Sequence, residues 1–205
     1  MTIAIAANTF QKQAFENKAT SSEVNIVWVA SSQELYLQIE VDVLVDCLFD
    51  VSTMGSTRKP LLINACNCSL TNMNATGAVA RFCGWNGFIE RSLWEIAVPE
   101  NSDTAWLDDV RLKTGWMFEI IRDEPGFIAP RVISMIVNEA FFALQENVST
   151  RAEIDTAMKL GTNYPFGPFE WAEKIGLANI YSLLTILASS DERYQPCEEM
   201  TKFID

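Results

Sequence analysis

The chain has 205 residues, of which 49% are hydrophobic, 20% charged and 11% aromatic, and a length of this size supports one domain or two small ones. Few residues are Gly or Pro, which excludes a collagenous or disordered protein, and the net charge of −12 argues against binding to nucleic acid or an anionic membrane. The chain contains no histidine. Any proton transfer would therefore depend on a carboxylate, Tyr, Lys, Cys or water.

Cysteine usage and hydropathy predict the compartment. Five scattered cysteines form no C-x-x-C pair, so we expect free thiols and no metal site. The start, MTIAIAANTF, lacks the basic residues and long apolar run of a signal peptide, and no stretch is apolar for long enough to span a membrane. These observations predict a cytoplasmic protein.

Apolar runs and short helical stretches alternate in the first half. We predict strands at 3–7, 24–30, 42–49 and 61–64, and helices at 11–19 and 32–39. The connection 51–59, VSTMGSTRK, is polar and too short for a full covering helix. Nearly continuous aliphatic strands separated by helices are typical of a parallel sheet covered on both faces, so this half predicts a doubly wound α/β domain.

The middle of the chain is less regular. Strands are predicted at 81–89, 93–98 and 116–122, and we expect the last of these to be buried. Residues 103–114 fit a helix that is capped by Ser102 or Asp103 and ended by Gly115.

Helices dominate from Pro125 onwards. A long apolar-faced helix is predicted at 128–147, and Thr150 begins a capping box for a helix that stops at Gly161. Pro168 suits the first turn of the next helix, which Gly176 closes, and a last helix covers 177–188. The sequence thus predicts an α/β domain over 1–123 and an all-α domain over 124–205. The apolar faces of the first and last of these helices exceed what a small domain buries on itself, which predicts a homodimer.

Motifs in the second half carry a family resemblance. PGFI-x-x-R, NEA, EIDTAMKLG, P-x-GPFEWA and KIGL follow one another between Pro125 and Leu184. This run resembles the C-terminal domain of the 3-hydroxyacyl-CoA dehydrogenase (3-hydroxybutyryl-CoA dehydrogenase) family. Upstream, the segments DVLVDCLFD, NCS, GWNGF and LWE are similar to the family's strand ending in an acidic residue, its N-T-S turn, its G-x-H-F-F and its L-V-E.

The resemblance implies a reduced Rossmann-like domain that holds NAD, and a helical domain that closes over an acyl-CoA and builds the dimer. The family oxidises 3-hydroxyacyl-CoA to 3-oxoacyl-CoA in fatty-acid metabolism, and a His–Glu pair removes the hydroxyl proton. By position, Asn86 stands at the catalytic His, Glu95 at the Glu, and Ser69 at the hydroxyl beside the substrate. Asp50 and Asn67 fall on the cofactor side.

The chain departs from the family at positions that carry its chemistry. An amide such as Asn86 does not exchange a proton near neutral pH, and Pro130 replaces the Asn of the family's G-F-I-x-N-R. The first glycine of the chain is Gly55, so the turn after the first strand, residues 6–10, lacks the glycines of a dinucleotide fingerprint, and Phe10 would crowd a diphosphate. Ala30 and the two serines after it replace the acidic residue expected to bind the ribose.

Two functions therefore stay open. The chain is either a family dehydrogenase with weakened or lost activity and doubtful NAD binding, or a non-catalytic dimeric binding or assembly module. The module would retain an acyl-CoA cleft or pair with a full-length paralogue.

The single residues also have two interpretations each. Glu95 is a catalytic acid/base or a structural carboxylate, Ser69 a substrate contact or a turn cap, and Asn86 a ligand contact or a turn residue. Tyr164, Phe166, Phe169 and Trp171 line an acyl pocket or pack between helices. We expect Asp42, Asp46 and Asp50 to be solvated or to cap.

Overall fold

A computed structural model describes residues 1–53 and 55–204, so Met54, in the polar connection 51–59, and Asp205 lie outside the described residues. The chain divides into two compact units, and the second unit begins at Ile128.

The first unit alternates strands and helices. Its elements are β1 (Thr2–Ala6), α1 (Thr9–Asn17), β2 (Asn25–Val29), α2 (Ser32–Tyr36), β3 (Val43–Asp46), β4 (Leu61–Asn64), β5 (Val79–Phe82), β6 (Leu93–Ala97), α3 (Ala105–Thr114) and β7 (Met117–Ile120). In the described residues these strands form one seven-stranded sheet of order β2-β1-β3-β4-β5-β6-β7. The predicted α/β class with a mostly parallel sheet is confirmed.

One strand pair differs from the parallel arrangement. β5 and β6 are antiparallel, with Arg81 opposite Ala97 and Phe82 opposite Ile96. Residues 83–92, which connect them, hold no helix that could carry the chain back across the sheet. The strand predicted at 81–89 is accordingly wrong beyond Phe82, because turns follow it.

Two apolar layers cover the sheet. Alternate residues of β1 point to opposite faces, so Ile3 and Ile5 join one cluster while Ala4 and Ala6 join the other. Phe15 of α1 anchors the first cluster, with its ring centroid 5.7 Å from that of Trp94 and 5.6 Å from that of Trp116. Leu35 of α2 lies in the second cluster.

The sheet ends at β7, which is more exposed than predicted. Met117 is 48% exposed and Ile120 is 50% exposed. In the part of the chain that the structure describes, β7 is the last strand of the sheet and pairs with β6 alone, so the expectation of a buried strand at 116–122 is wrong. The preceding helix, α3, ends at Gly115 in a left-handed conformation as predicted, and Asp103 Oδ1 accepts a hydrogen bond from Ala105 N at 2.9 Å.

The second unit is helical: α4 (Ala129–Gln145), α5 (Arg151–Thr162), α6 (Pro168–Ile175) and α7 (Leu177–Ala188), followed by 3-10 turns at Glu192–Tyr194 and Glu198–Phe203. The capping box of Thr150 and Glu153 is confirmed, and hydrogen bonds from Ser149 and Thr150 lower the pKa of Glu153 to about 2. The predicted stop at Gly161 is wrong. α5 continues through this glycine, and Asn163 ends it with φ of 56°.

The family-like motifs of this unit contact one another. Asp155 Oδ1 accepts a hydrogen bond from Phe169 N at 2.8 Å, and a Cβ atom at Gly167 would overlap the Asp155 side chain. Asn138 of α4 is 2% exposed and clamps the chain end, since its amide donates to Gln195 O at 2.9 Å and accepts from Cys197 N at 2.8 Å. None of the helices in the described residues has the length and hydropathy of a membrane span.

Lys18, directly after α1, is a buried cation of the first unit. It is 8% exposed, donates to Arg91 O, and lies 4.8 Å from the centroid of the Trp94 ring. Burial lowers the pKa of Lys18 from 10.5 to about 8, against a smaller opposing effect of Glu90.

This pKa predicts a pH-dependent stability. Because the folded-state pKa of Lys18 lies below the unfolded one, the unfolded state binds more protons between about pH 8 and the ordinary lysine pKa near 10.5, and stability rises with pH across that window. Lys18→Met should raise the free energy of unfolding at neutral pH and flatten this rise. Urea unfolding between about pH 7 and pH 10 measures both effects. The exposed Lys113→Met should keep the wild-type slope, and an unchanged slope in Lys18→Met would contradict the assignment.

Candidate functional site

The crevice expected to bind a ligand lies at the carboxyl ends of β1 and β3. β2 pairs with one side of β1, and β3 pairs with the other side of β1, so the strand order reverses direction at β1. In open α/β sheets this switch point is the usual ligand site.

In the turn from β1 to α1, side chains of the turn form hydrogen bonds with its own backbone amides. Counted from the end of β1, the three glycine positions of a G-x-G-x-x-G fingerprint fall on Ala6, Asn8 and Gln11. Asn8 caps α1: its Oδ1 accepts from Gln11 N at 2.9 Å, and its own N–H donates to Gln11 Oε1 at 3.1 Å. The backbone amide at the third glycine position is thus already bound to a side chain.

Gln11 also spans the crevice. The side chain is buried, and its Nε2 donates to Cys47 O at 3.1 Å and to Gly84 O at 3.2 Å. These carbonyls follow β3 and β5, respectively. Asn64, the last residue of β4, completes the ring because its Nδ2 donates to Cys47 O at 3.1 Å and its Oδ1 accepts from Gly84 N at 2.8 Å. We call these four residues the Gln11 network.

The residues of the crevice do not fit a pyrophosphate. Such a group needs free amides at the first helical turn and close approach to the backbone, whereas the Gln11 network fills this space. Phe10, which we expected to crowd a diphosphate, has a side chain that is 70% exposed, and the side chain of this turn that is buried in the crevice is that of Gln11.

Two carboxylates lie near the ends of β2 and β3. The sequence analysis did not single out the first, Glu34, and did not predict the burial of the second, Asp46. At the end of β2, Glu34 Oε2 accepts from Ala30 N at 3.0 Å, and the S-x-x-E spacing could have predicted the accompanying hydrogen bond from Glu34 N to Ser31 Oγ at 3.2 Å. Asp46 at the end of β3 is fully buried, so the expectation that it is solvated is wrong, whereas the alternative that it caps agrees with the hydrogen bond from Leu48 N to Asp46 Oδ1 at 3.1 Å. It accepts from Ser32 Oγ at 2.8 Å and from Tyr36 Oη at 3.1 Å.

Burial explains the titration of this pair. It raises the pKa of Asp46, although the hydrogen bonds from Ser32, Tyr36 and Leu48 oppose the shift. It also raises the pKa of Tyr36, and the Asp46 charge adds to this. The hydrogen bond between Tyr36 and Asp46 joins α2 to β3.

Asp50 and Asn67, assigned to the cofactor side, lie in separate local structures. Asp50 is exposed and accepts from Ser52 N at 2.7 Å, and hydrogen bonds from Ser52 lower its pKa. Asp42 likewise binds a backbone amide, that of Thr2 at 2.7 Å. Asn67 is half-buried in the connection after β4.

Ser69 and Asn86 both lie in turns. Ser69 is 4% exposed, and its Oγ accepts from Asn72 N at 3.1 Å, as a turn-capping serine does. Asn86 is half-buried and precedes Gly87, whose φ of 90° completes a turn closed by the hydrogen bond from Phe88 N to Trp85 O.

Glu95 lies in the middle of β6, where its side chain is 14% exposed and its Oε1 is 3.9 Å from Arg91 Nη1. It also lies close enough to the buried Cys66 thiol to contribute to that group's raised pKa, of which burial is the main cause. A guanidinium is therefore the cationic neighbour of this carboxylate. A guanidinium stays protonated near neutral pH and therefore does not act as an acid or a base.

Arg81 of β5, which the sequence analysis did not single out, holds together the segment after β4 and the segment after β7. It is fully buried, and its Nε donates to Asp123 Oδ1 at 2.6 Å while its Nη atoms donate to Ala65 O and Glu124 O. Asp123 in turn accepts from Leu70 N at 3.0 Å and from Thr71 N at 2.9 Å. Arg81 thereby fixes the turn that begins at Ser69.

The charge state of Asp123 agrees with this geometry. Burial would raise the pKa of Asp123, but Arg81 and the two amides lower it below its usual range. An arginine inside the apolar strand VARF was the available sequence signal, because a buried guanidinium requires a carboxylate partner.

The aromatic residues proposed for an acyl pocket divide into two groups. Phe169 and Trp171 are buried, and the Phe169 ring centroid lies 5.0 Å from that of Phe141, so these two pack between helices. Tyr164 and Phe166 are half-buried. In the described residues, no three His, Cys, Asp or Glu side chains are grouped to hold a metal ion.

The fold and the motifs define the class: a doubly wound sheet unit followed by a helical unit. Residues 126–205 match the sequence model of the 3-hydroxyacyl-CoA dehydrogenase C-terminal domain. The second unit is therefore similar in sequence to the C-terminal domain of the 3-hydroxyacyl-CoA dehydrogenases.

Individual relatives show how far the likeness extends. A 79-residue segment, 38% of this chain, is 47% identical to 3-hydroxyadipyl-CoA dehydrogenase of Escherichia coli, and covers 17% of that protein. The mitochondrial hydroxyacyl-coenzyme A dehydrogenase of Rattus norvegicus is 26% identical over 97% of this chain and 67% of its own length. The first of these matches thus spans about a sixth of the relative.

Solved structures agree on the fold. The (S)-3-hydroxybutyryl-CoA dehydrogenase of Ralstonia eutropha superposes with a TM-score of 0.71 at 18% identity, over 98% of this chain and 92% of that one. At this identity the superposition establishes the architecture.

The Arg81 assignment predicts a large loss of stability on removal of the guanidinium. Arg81→Met leaves the Asp123 carboxylate and two backbone carbonyls without their donor, and should lower the free energy of unfolding by about 3–5 kcal/mol. The matched control is Arg111→Met, whose pair with Asp108 is exposed and should contribute about 0–1 kcal/mol. Urea unfolding of both variants tests this, and equal losses would contradict the assignment.

Proposed function

We propose that this chain is a 3-hydroxyacyl-CoA dehydrogenase family protein that does not transfer hydride, and that it acts as a dimeric binding or assembly module. The observation that carries the proposal is the Gln11 network. The side chain of Gln11 occupies the crevice where a dinucleotide would lie, and it donates hydrogen bonds to the carbonyl groups that follow two strands, β3 and β5.

The proton-transfer side supports the same conclusion. Asn86 replaces the imidazole that the family resemblance implies, and Glu95 has Arg91 as its ionic neighbour. Loss of a general base typically lowers a rate by about 10²–10⁴. Two independent parts of the reaction, the base and the hydride acceptor, therefore lack their usual residues.

The second candidate function is a residual dehydrogenase activity toward 3-hydroxyacyl-CoA. It is favoured by the presence of Ser69 and Glu95 at the positions of the family motifs. An acyl-CoA thioester would be the ligand in either case, since the module retains the helical unit whose sequence is most similar to the named relatives. Five free cysteines are compatible with a reducing cytoplasm.

A homodimer is the proposed assembly, and α4 provides its surface. Val132 is 50% exposed, and together with the half-buried Met135 and Ile136 it lines a groove of about 420 Å³. Arg131 and Glu139 border the groove, each four residues from Met135. A two-fold axis at Met135 that pairs two antiparallel copies of α4 would place each arginine near the partner's glutamate, as a self-complementary interface requires.

Because the Gln11 network fills the crevice, we expect no NADH binding, and we expect that Asn86→His does not restore it. Wild-type protein and Asn86→His should both leave NADH fluorescence unchanged at about 1 mM cofactor, which corresponds to less than about 4 kcal/mol of binding. Both should also leave NADH unoxidised with acetoacetyl-CoA. Saturable NADH binding, or turnover by either protein, would refute the closed crevice.

The groove predicts an effect on assembly. Val132→Glu buries a charge in the proposed interface and should convert the dimer to monomer at micromolar concentration, as measured by sedimentation equilibrium. Leu160→Glu is the matched control, because Leu160 is 83% exposed on α5 and lies outside the groove. A monomeric wild-type protein, or a dimeric Val132→Glu variant, would overturn this interface.

A further inference from the structure

A second cavity lies at the opposite edge of the sheet from the Gln11 network. It has a volume of about 470 Å³ and is bounded by residues 55–59 and 73–78. Its inner wall is formed by Leu61 and Val79, which are register partners and the first residues of β4 and β5. The cavity therefore opens at the amino ends of these two strands.

The cavity exists because covering helices are missing. Parallel strands are usually joined by a crossover helix that covers the sheet face. Between β3 and β4, and between β4 and β5, the described residues contain only a 3-10 turn at Val51–Thr53 and irregular loops. Two loops thus border a space that a helix would otherwise fill, and its volume lies in the range of small-molecule sites.

The cavity is the cationic part of an acidic chain. Arg58 and Lys59 line it, and no Asp or Glu belongs to its lining. In the sequence, residues 51–89 contain no acidic residue, so all 27 acids of the chain lie outside this segment. Two neighbouring cations in a lining that holds no carboxylate attract anions even when the net charge of the protein is −12.

The remaining lining supplies hydrogen-bond donors. Hydroxyls of Ser56, Thr57 and Thr76 and the amide of Asn74 belong to it, and Thr57 Oγ1 orders the loop by accepting from Lys59 N at 3.0 Å. Gly77 has φ of 85° and open space where a Cβ would lie, so a ligand is able to approach the backbone at this point. Guanidinium, ammonium and hydroxyl donors together suit phosphate oxygens.

We propose that this cavity binds a phosphorylated small molecule, whose phosphate oxygens accept hydrogen bonds from Arg58 and Lys59. The proposal is independent of the proposed loss of hydride transfer, because the cavity and the crevice lie at opposite edges of the sheet.

Amide chemical-shift titrations of the full chain test the proposal, with pyrophosphate and ADP as probes. Both probes should shift the amides of residues 55–59 and 73–79 with dissociation constants below about 1 mM. Tighter binding of ADP would identify a nucleotide as the ligand type, and equal binding would identify the phosphate groups alone.

A charge-matched pair of variants separates a site from general electrostatics. Arg58→Gln/Lys59→Gln should weaken pyrophosphate binding by about tenfold or more. Arg111→Gln/Lys113→Gln removes two exposed positive charges from α3 in the same unit and should leave the affinity within about twofold. Equal weakening in both variants, shifts confined to other residues, or no shift at about 10 mM probe would overturn the proposal.

Discussion

The hydrogen bonds of one buried amide, that of Gln11, determine how the first unit is closed. Carbonyl groups at the ends of buried strands need hydrogen-bond donors, which ordered water supplies where a crevice is open. Here Gln11 donates to carbonyls that follow β3 and β5, while Asn8 holds its side chain in place. Since α1 also carries Phe15 into the aromatic cluster, the same interaction fixes a helix whose packing joins β2, β6 and the segment before β7.

Sequence similarity to the 3-hydroxyacyl-CoA dehydrogenases is strongest in the second unit, where contacts between helices account for several of the shared residues. In the second unit, Gly167 leaves room for Asp155, and Asp155 binds the amide of Phe169, so two motifs require each other for steric and hydrogen-bonding reasons. Asn138 is similarly committed to the chain end through Gln195 and Cys197. None of these contacts involves a substrate, and therefore a high identity in this unit is compatible with loss of chemistry in the first one.

Local patterns in the sequence predicted much of the fold. The strand at 61–64, the helix at 177–188 and the Thr150 capping box were predicted correctly, because each depends on residues within a few positions of one another. The role of Gln11 was not predictable in this way, since its partners lie 36 and 73 residues away. The burial of Asp46 was missed for a related reason: alternation along β3 does not show that Ser32 and Tyr36 of α2 cover it.

The two edges of the sheet, at the carboxyl and the amino ends of the parallel strands, differ in the space that they leave for a ligand. With Ala6, Asn8 and Gln11 at the fingerprint positions, side chains fill the carboxyl edge and leave no opening for a diphosphate. With short loops in place of covering helices, the amino edge acquires a cavity and exposes Arg58 and Lys59 in a segment free of carboxylates. Side chains thus close the crevice at the carboxyl ends of the strands, whereas short loops leave a cavity at the amino ends. The binding role proposed for this chain therefore rests on the amino edge of the sheet and on α4, whereas at the carboxyl edge the Gln11 network joins the strand ends to one another.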